Sequence, residues 1–362
     1  MKPIATALKA TLASTALAAG LLASARTLPA AAEPKTDFKV AWSIYVGWMP
    51  WGYAADQGIV KKWADKYGIT IEVTQFNDYV ESMNQYTAGA YDAVTLTNMD
   101  GLSIPAAGGV DTTAVIVGDF SNGNDAVILK DGAELPDIEG RPVNLVEFSV
   151  SHYLLARALE TIGKTERDVS VVNTADPDMV GAFQTADVTA MVTWNPMVSE
   201  IAALPGASIV FDSSDIPGEI IDLMVANTET VADNPDFAKA LAGIWYETVG
   251  IMTSDTPEGA AARAAMGAAS GTDQAGYEAQ LAATKLFDKP ADAVTFVDSP
   301  ELATTMNSVR AFLFDKGLLG PGAPSADVVG IELPSGEVLG DAGNVKLRFT
   351  DAWMKAAADG AL

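Results

Sequence analysis

The sequence predicts an α/β protein with largely parallel sheets, divided between two lobes. From Phe38 onward, short apolar runs alternate with helical segments, as in chains that wind strand, helix and strand in turn. Roughly 330 residues follow residue 32, and 49% of the chain is hydrophobic, so it can bury a core large enough to be shared between two domains. There is no cysteine, so the core must hold the fold without disulfides, and thiolate metal sites and cysteine nucleophiles are excluded.

The amino terminus reads as a leader. Met1 and Lys2 precede a stretch over 4–23 dominated by Ala, Leu, Thr and Ser, with Lys9 inside it and no acidic residue before Glu33. That layout predicts a signal peptide over 1–32, with exits at Ala23-Ser24-Ala25 or Ala30-Ala31-Ala32. The second exit is preferred because folded-looking sequence begins near Asp37. The other reading is an anchor, but an alanine-rich stretch makes a weak span where a bilayer helix needs about 20 strongly apolar residues. Lipid attachment at a leader cysteine is excluded, so the expectation is an exported protein free of the membrane.

Strands are expected over 38–44 and 69–73, with a helix over 51–67 that is interrupted near Gly58 and stopped by Gly68. Asp78 and Glu81 are spaced to cap a helix over 78–88. A short buried strand over 93–96 runs into Thr97-Asn98-Met99-Asp100-Gly101, and another follows over 114–117. The turn formers over 119–125 precede an apolar run over 126–129 and read as a first crossing between lobes. Strands over 142–146, 169–173 and 188–192 alternate with a helix over 149–162 and one opened by Asp176 and Pro177. Residues 220–227 read as the return crossing, apolar around a lone Asp222. Helices are expected over 235–316, followed by Gly- and Pro-rich sequence. No internal repeat is evident.

In open α/β sheets the loops beyond the carboxyl ends of strands gather ligands. The loops after 44, 96, 146 and 192 are therefore the candidates. The first carries five aromatics in twelve residues, Trp42, Tyr45, Trp48, Trp51 and Tyr53, in a chain that is 8% aromatic. Such rings can wall a pocket for a planar or cationic ligand; Tyr45 and Trp48 are assigned to the pocket, Trp42 to the core, and Trp51 to either. Asn98 and Asp100 add polar groups from the second loop. In the third, Ser149 and Ser151 can cap a helix, while Glu147 either opposes anionic ligands or faces solvent. Trp194 and Asn195 come from the fourth. Asp222, if buried, needs a partner, structural or ligand. His152, the sole histidine, reads as an ordinary helical residue. No nucleophile elbow, zinc helix or phosphate loop occurs. The net charge of −25 opposes nucleic acid and anionic lipid, and its plainest meaning is solubility.

The aromatic entry over 42–53, Tyr91-Asp92-Ala93-Val94, Ser149-Val150-Ser151, the stretch over 188–196 ending in Trp-Asn-Pro, and 222–227 together resemble the NitT/TauT-type periplasmic binding proteins of ABC transporters, over roughly 38–315. Within that group the chain looks most like the urea-transporter branch found beside urea carboxylase genes. The resemblance implies a type II periplasmic binding protein fold with two hinge crossings and a ligand cleft. It implies a first lobe of 33–122 and 226–362 and a second of 123–225. It also implies transport and not catalysis: a monomer without cofactor or metal that hands a small solute to a permease and its ATPase. Relatives that bind taurine, other sulfonates or nitrate take anions. With Glu147 and Asp100 near the cleft and no Arg or Lys in the candidate loops, a urea- or guanidinium-like solute is expected instead. A pyrimidine or aromatic solute, a sulfonate or nitrate anion, and an enzyme like those of thiamine pyrimidine synthesis are the rival readings.

Overall fold

The computed structural model describes residues 35–362. The leader expected over 1–32 and both of its exits lie outside the described residues.

The chain opens with β1 (Asp37–Ser43), α1 (Met49–Asp56), α2 (Ile59–Tyr67), β2 (Thr70–Phe76), α3 (Tyr79–Thr87) and β3 (Ala93–Thr97). The interruption expected near Gly58 separates α1 from α2, and Gly58 and Gly68 both take the left-handed conformation that a side chain disfavours. Asp78 caps α3 by accepting from the Glu81 N–H at 2.9 Å. A one-turn helix, α4 (Asn98–Gly101), follows β3, and β4 (Thr112–Ser121) leads across to β5 (Asp125–Lys130). Then come β6 (Pro142–Leu145), α5 (Val150–Thr161), β7 (Ser170–Asn173), α6 (Met179–Gln184), β8 (Ala190–Trp194), α7 (Met197–Ala202) and β9 (Ala207–Asp212). The chain returns through β10 (Ile221–Asn227) to α8 (Thr228–Asp233), α9 (Pro235–Met252), α10 (Pro257–Ala269) and α11 (Gln274–Ala282). It closes with β11 (Thr284–Leu286), α12 (Pro290–Val297), α13 (Pro300–Asp315), β12 (Gly330–Glu332), β13 (Val338–Leu339), β14 (Val345–Phe349) and α14 (Ala352–Ala358).

Two sheets result. The larger runs β13-β12-β14-β4-β10-β3-β1-β2, with β11 also paired to β4; the smaller runs β7-β6-β8-β5-β9. β1 is parallel to β2 and β3, and β6 to β7 and β8, whereas β10 is antiparallel to both β3 and β4. The architecture is thus α/β in two lobes. Three departures from the sequence reading stand out. Residues 221–227 are a central strand of the large sheet, so the return crossing is the segment before Ile221, and a lobe boundary at 225 would cut β10. β4 extends through Asp119 into what reads as a turn. The Gly- and Pro-rich carboxyl end supplies β12, β13 and β14, which join the large sheet beside β4.

In the large lobe, Phe38 stacks on Phe237 of α9 with centroids 4.2 Å apart, and Trp51 on Trp245 at 5.9 Å. Trp42 packs in the core against Gly52, where an added Cβ would stand 2.6 Å from its ring. The crossings are tied together. Ser213, on the return segment, shares a 2.6 Å hydroxyl bond with Ser121 and accepts from the Gly123 N–H at 2.7 Å. Asn124 donates to the Ala283 carbonyl at 2.8 Å and to the Thr284 hydroxyl, joining the first crossing to β11.

Candidate functional site

β4, β10 and β3 lie side by side, and their pairing puts Asp222 directly opposite Asp119 on one side and Thr97 on the other. Directly opposed residues of antiparallel strands share a face. The strand register therefore sets two carboxylates next to each other at the end of the large sheet. Asp125, at the start of β5 in the smaller lobe, is a third.

Asp222, Thr97 and Asp125 border a small cavity, lined also by Tyr45, Trp48, Tyr79, Val150 and Trp194; Asp119 pairs with Asp222 and Tyr45 and is not part of that lining. Both lobes contribute to it. Trp48 lies 5.1 Å from Tyr45 and 5.5 Å from Tyr79 by ring centroids, and Trp194 of the smaller lobe meets Tyr79 edge-on at 5.7 Å. Among the described residues, no Lys, Arg or His lines the cavity.

The carboxylates are buried without a cation. Asp119 is 0% exposed, and Asp125 and Asp222 are 3% exposed. Burial pushes the Asp119 and Asp125 carboxyls up to about 7, against the opposing effect of hydrogen bonds. Asp222 is raised further, by burial first and then by the Asp119 charge, so this carboxyl holds its proton most tightly. Tyr45 donates to Asp119 Oδ1 at 3.1 Å, and burial beside three carboxylates keeps its phenol neutral. Among the described residues, Asp119 Oδ2, Asp222 Oδ2 and Asp100 Oδ1 have no partner beyond the proton that the Asp119 and Asp222 carboxyls share.

The nine residues singled out from the sequence fall into two groups. Tyr45, Trp48, Trp194 and Asp222 line the cavity together. The other five do not. Asp100 lies behind the wall, accepting from the Tyr79 hydroxyl at 2.8 Å and the Thr97 hydroxyl at 2.9 Å, and burial pushes its carboxyl up to about 6. Asn98 accepts from the Ile221 N–H and donates to the Glu219 carbonyl, both at 3.1 Å, and so pins the return crossing. Ser149 caps α5 through the Ser151 N–H at 3.2 Å, which sets Val150 at the cavity. Asn195 donates to Asn124 Oδ1 at 2.8 Å and accepts from the Ser199 N–H at 3.1 Å. Glu147 is half-buried, with its N–H on Asn173 Oδ1 at 2.9 Å.

Tyr79, Thr97, Asp119 and Asp125 were not singled out. Tyr79 had only its place after a helix cap to mark it, and the two aspartates sat in what looks like a turn. His152 is more than an ordinary helical residue: it is buried, accepts from the Phe148 N–H at 3.1 Å through Nδ1, and stands 2.8 Å from Glu166 through Nε2.

Residues 39–268 match the profile of the NMT1-like family. The chain belongs to the NMT1-like family. Among relatives, this NMT1-like chain is 25% identical over 195 residues to a protein of Brucella abortus named as a binding protein, covering 53% of this chain and 60% of that one. It is 23% identical over 184 residues to the taurine-binding periplasmic protein of Escherichia coli, covering 49% and 56%. The chain thus spans about three fifths or less of the length of these curated relatives. Among solved structures, the alkanesulfonate-binding protein SsuA of Xanthomonas axonopodis, bound to MOPS, superposes with a TM-score of 0.66 at 16% identity over 82% of this chain and 99% of that one. The aliphatic sulphonate binding protein SsuA of Escherichia coli gives 0.65 at 18% over 80% and 94%. The NMT1-like chain therefore has the periplasmic binding protein fold.

Proposed function

We propose that this chain is the periplasmic solute-binding component of an ABC importer, closing two lobes on a small cationic, nitrogen-rich solute of the guanidinium type and delivering it to a membrane permease with its ATPase. The binding and transport part of this reading is supported by the names of its relatives and by the shared fold. The lobes follow the two sheets, with their second boundary just before Ile221.

The solute class rests on one observation: Asp125 and Asp222 are buried at an aromatic cavity that, among the described residues, no basic side chain lines, and Asp119 is buried next to Asp222. Buried charge of one sign is costly until a partner arrives. A planar cation rich in N–H groups answers both features, pairing with the carboxylates and lying on the faces of Tyr45, Trp48 and Trp194. Urea would gain the hydrogen bonds without the charge attraction, so it ranks below guanidinium; the urea-transporter branch rests on sequence resemblance alone. The sulfonate reading draws on the relatives, but a sulfonate in this cavity would meet carboxylates in place of basic side chains. An aminopyrimidine would use the same rings.

Titration calorimetry of the chain against guanidinium, urea, taurine and hydroxymethylpyrimidine tests the assignment. Heat with guanidinium, less with urea and none with taurine is expected. Binding of taurine without guanidinium would overturn the solute class.

A further inference from the structure

We infer that one water molecule is built into a second, smaller cavity behind the solute cavity, held by Trp48, Thr95, Asp222 and Trp245. The inference stands apart from the identity of the solute, because Thr95 and Trp245 line the second cavity and not the main one.

This second cavity shares Trp48 and Asp222 with the first and is otherwise walled mainly by apolar groups of β4, β10 and α9. It seats one water-sized sphere with little freedom to move. Four of the side chains around it carry a buried polar atom with no partner in the protein: Trp48 Nε1, Thr95 Oγ1, Asp222 Oδ2 and Trp245 Nε1. The four residues are 5%, 1%, 3% and 2% exposed. Buried polar atoms are nearly always satisfied, so four at one small cavity call for a shared partner.

The chemistry of the set selects that partner. The two indole N–H groups can only donate, the Asp222 carboxyl, whose proton is turned to Asp119, accepts through its other oxygen, and the threonine hydroxyl accepts while its own proton is free to turn. A water molecule accepts two hydrogen bonds and donates two, which matches the set atom for atom. An ammonium or metal cation would face two N–H dipoles, and an anion would face Asp222. Gly118 makes the arrangement possible: a Cβ there would stand 2.7 Å from the Trp245 ring, so only glycine lets that indole lie against β4. Through this water, Thr95 and Trp245 are positioning residues. They fix the Asp222 carboxylate and the Trp48 ring from behind, leaving their other sides to the solute.

Two measurements on the full chain test this. A crystal structure, at a resolution where other buried waters are visible, should show a density peak within hydrogen-bond reach of all four atoms, both with and without guanidinium. Thr95→Val, nearly the same size, should lower the melting temperature of the solute-free protein by about 2–4 °C, because the water loses a partner. If the hydroxyl were a true orphan, its removal would raise the melting temperature instead. An empty map, or a melting temperature that rises or stays in place, overturns the inference. Guanidinium affinity in Thr95→Val should fall several-fold; absence of guanidinium binding to the unsubstituted protein would defeat the solute assignment and leave the water test intact.

Discussion

The cleft and the seam between α5 and α13 both join the lobes through ionisable groups, and they treat charge in opposite ways. In the cleft, Asp119, Asp125 and Asp222 face one another without a cation. At the seam every acid is matched. Arg157 of α5 grips Glu219 through Nε at 2.8 Å and Nη2 at 3.0 Å, and Tyr153 donates to the same carboxylate at 2.5 Å. Glu166 lies between His152 and Lys316 at the end of α13. Burial alone would raise the Glu166 carboxyl, but its two basic neighbours outweigh burial and hold it below the usual range. The seam finds its partners within the protein. The cleft is complete only when something from outside brings positive charge.

The largest effect should come from breaking the cleft side of this contrast. Asp125→Asn removes a carboxylate that a bound cation needs, and affinity for guanidinium should fall about a hundredfold by calorimetry, in line with the loss of one partner from a buried charge pair. The same substitution should raise the stability of the solute-free protein at pH 8 by about 2–4 kcal/mol in urea denaturation, since the ionised carboxylate is uncompensated there. Affinity and stability moving together would count against the assignment.

Proton linkage gives the next test. The Asp119 and Asp125 carboxyls sit at about 7 in the folded protein, above the ordinary value of about 3.9 in an unfolded chain. Between those values the folded state holds more protons, so the stability of the solute-free protein should fall as pH rises from about 4 to 7 and level off above. Cation binding should run the other way, strengthening up to pH 7 by about tenfold per unit for each carboxyl that must release its proton. Melting curves and calorimetry in buffers of different ionisation heat would show both trends; affinity that is flat across this range would remove Asp119 and Asp125 from the site.

Smaller effects belong to the seam. Glu219→Gln should cost about 1–3 kcal/mol in urea denaturation, because Arg157 loses its partner's charge and one of the two largely buried acceptor oxygens becomes an NH2 donor. Lys316→Met, which keeps the packing on Phe312 and leaves His152 beside Glu166, should cost about 0.5–1 kcal/mol or less. Neither should alter the pH profile of binding, which is the sharpest way to separate seam from cleft.

The sequence carried the fold better than the site. Strand and helix alternation, the break at Gly58 and the Asp78 cap are local signals, and local chemistry produced them in the structure. β10 was harder, because an apolar run around one aspartate suits a crossing or a central strand equally well. β12, β13 and β14 are too short, and too closely flanked by Gly and Pro, to announce themselves. The aromatic walls were legible because tryptophan and tyrosine clusters are rare. Asp119 and Asp125 were not, since Asp, Ser, Asn and Gly also spell a turn, and only the pairing of β4 with β10 brings Asp119 to Asp222. Asn98, Ser149 and Asn195 adjoin the lining residues Thr97, Val150 and Trp194 in sequence, but loops and helix ends there leave backbone groups to satisfy, and these side chains serve them.

Trp194 is 5% exposed because it is clasped between the lobes against Tyr79. Should the lobes part as the proposed function requires, its indole would leave that niche for water and its emission would shift toward longer wavelength. Trp194 would then serve as an intrinsic optical gauge of opening, which stopped-flow fluorescence could time without an attached dye.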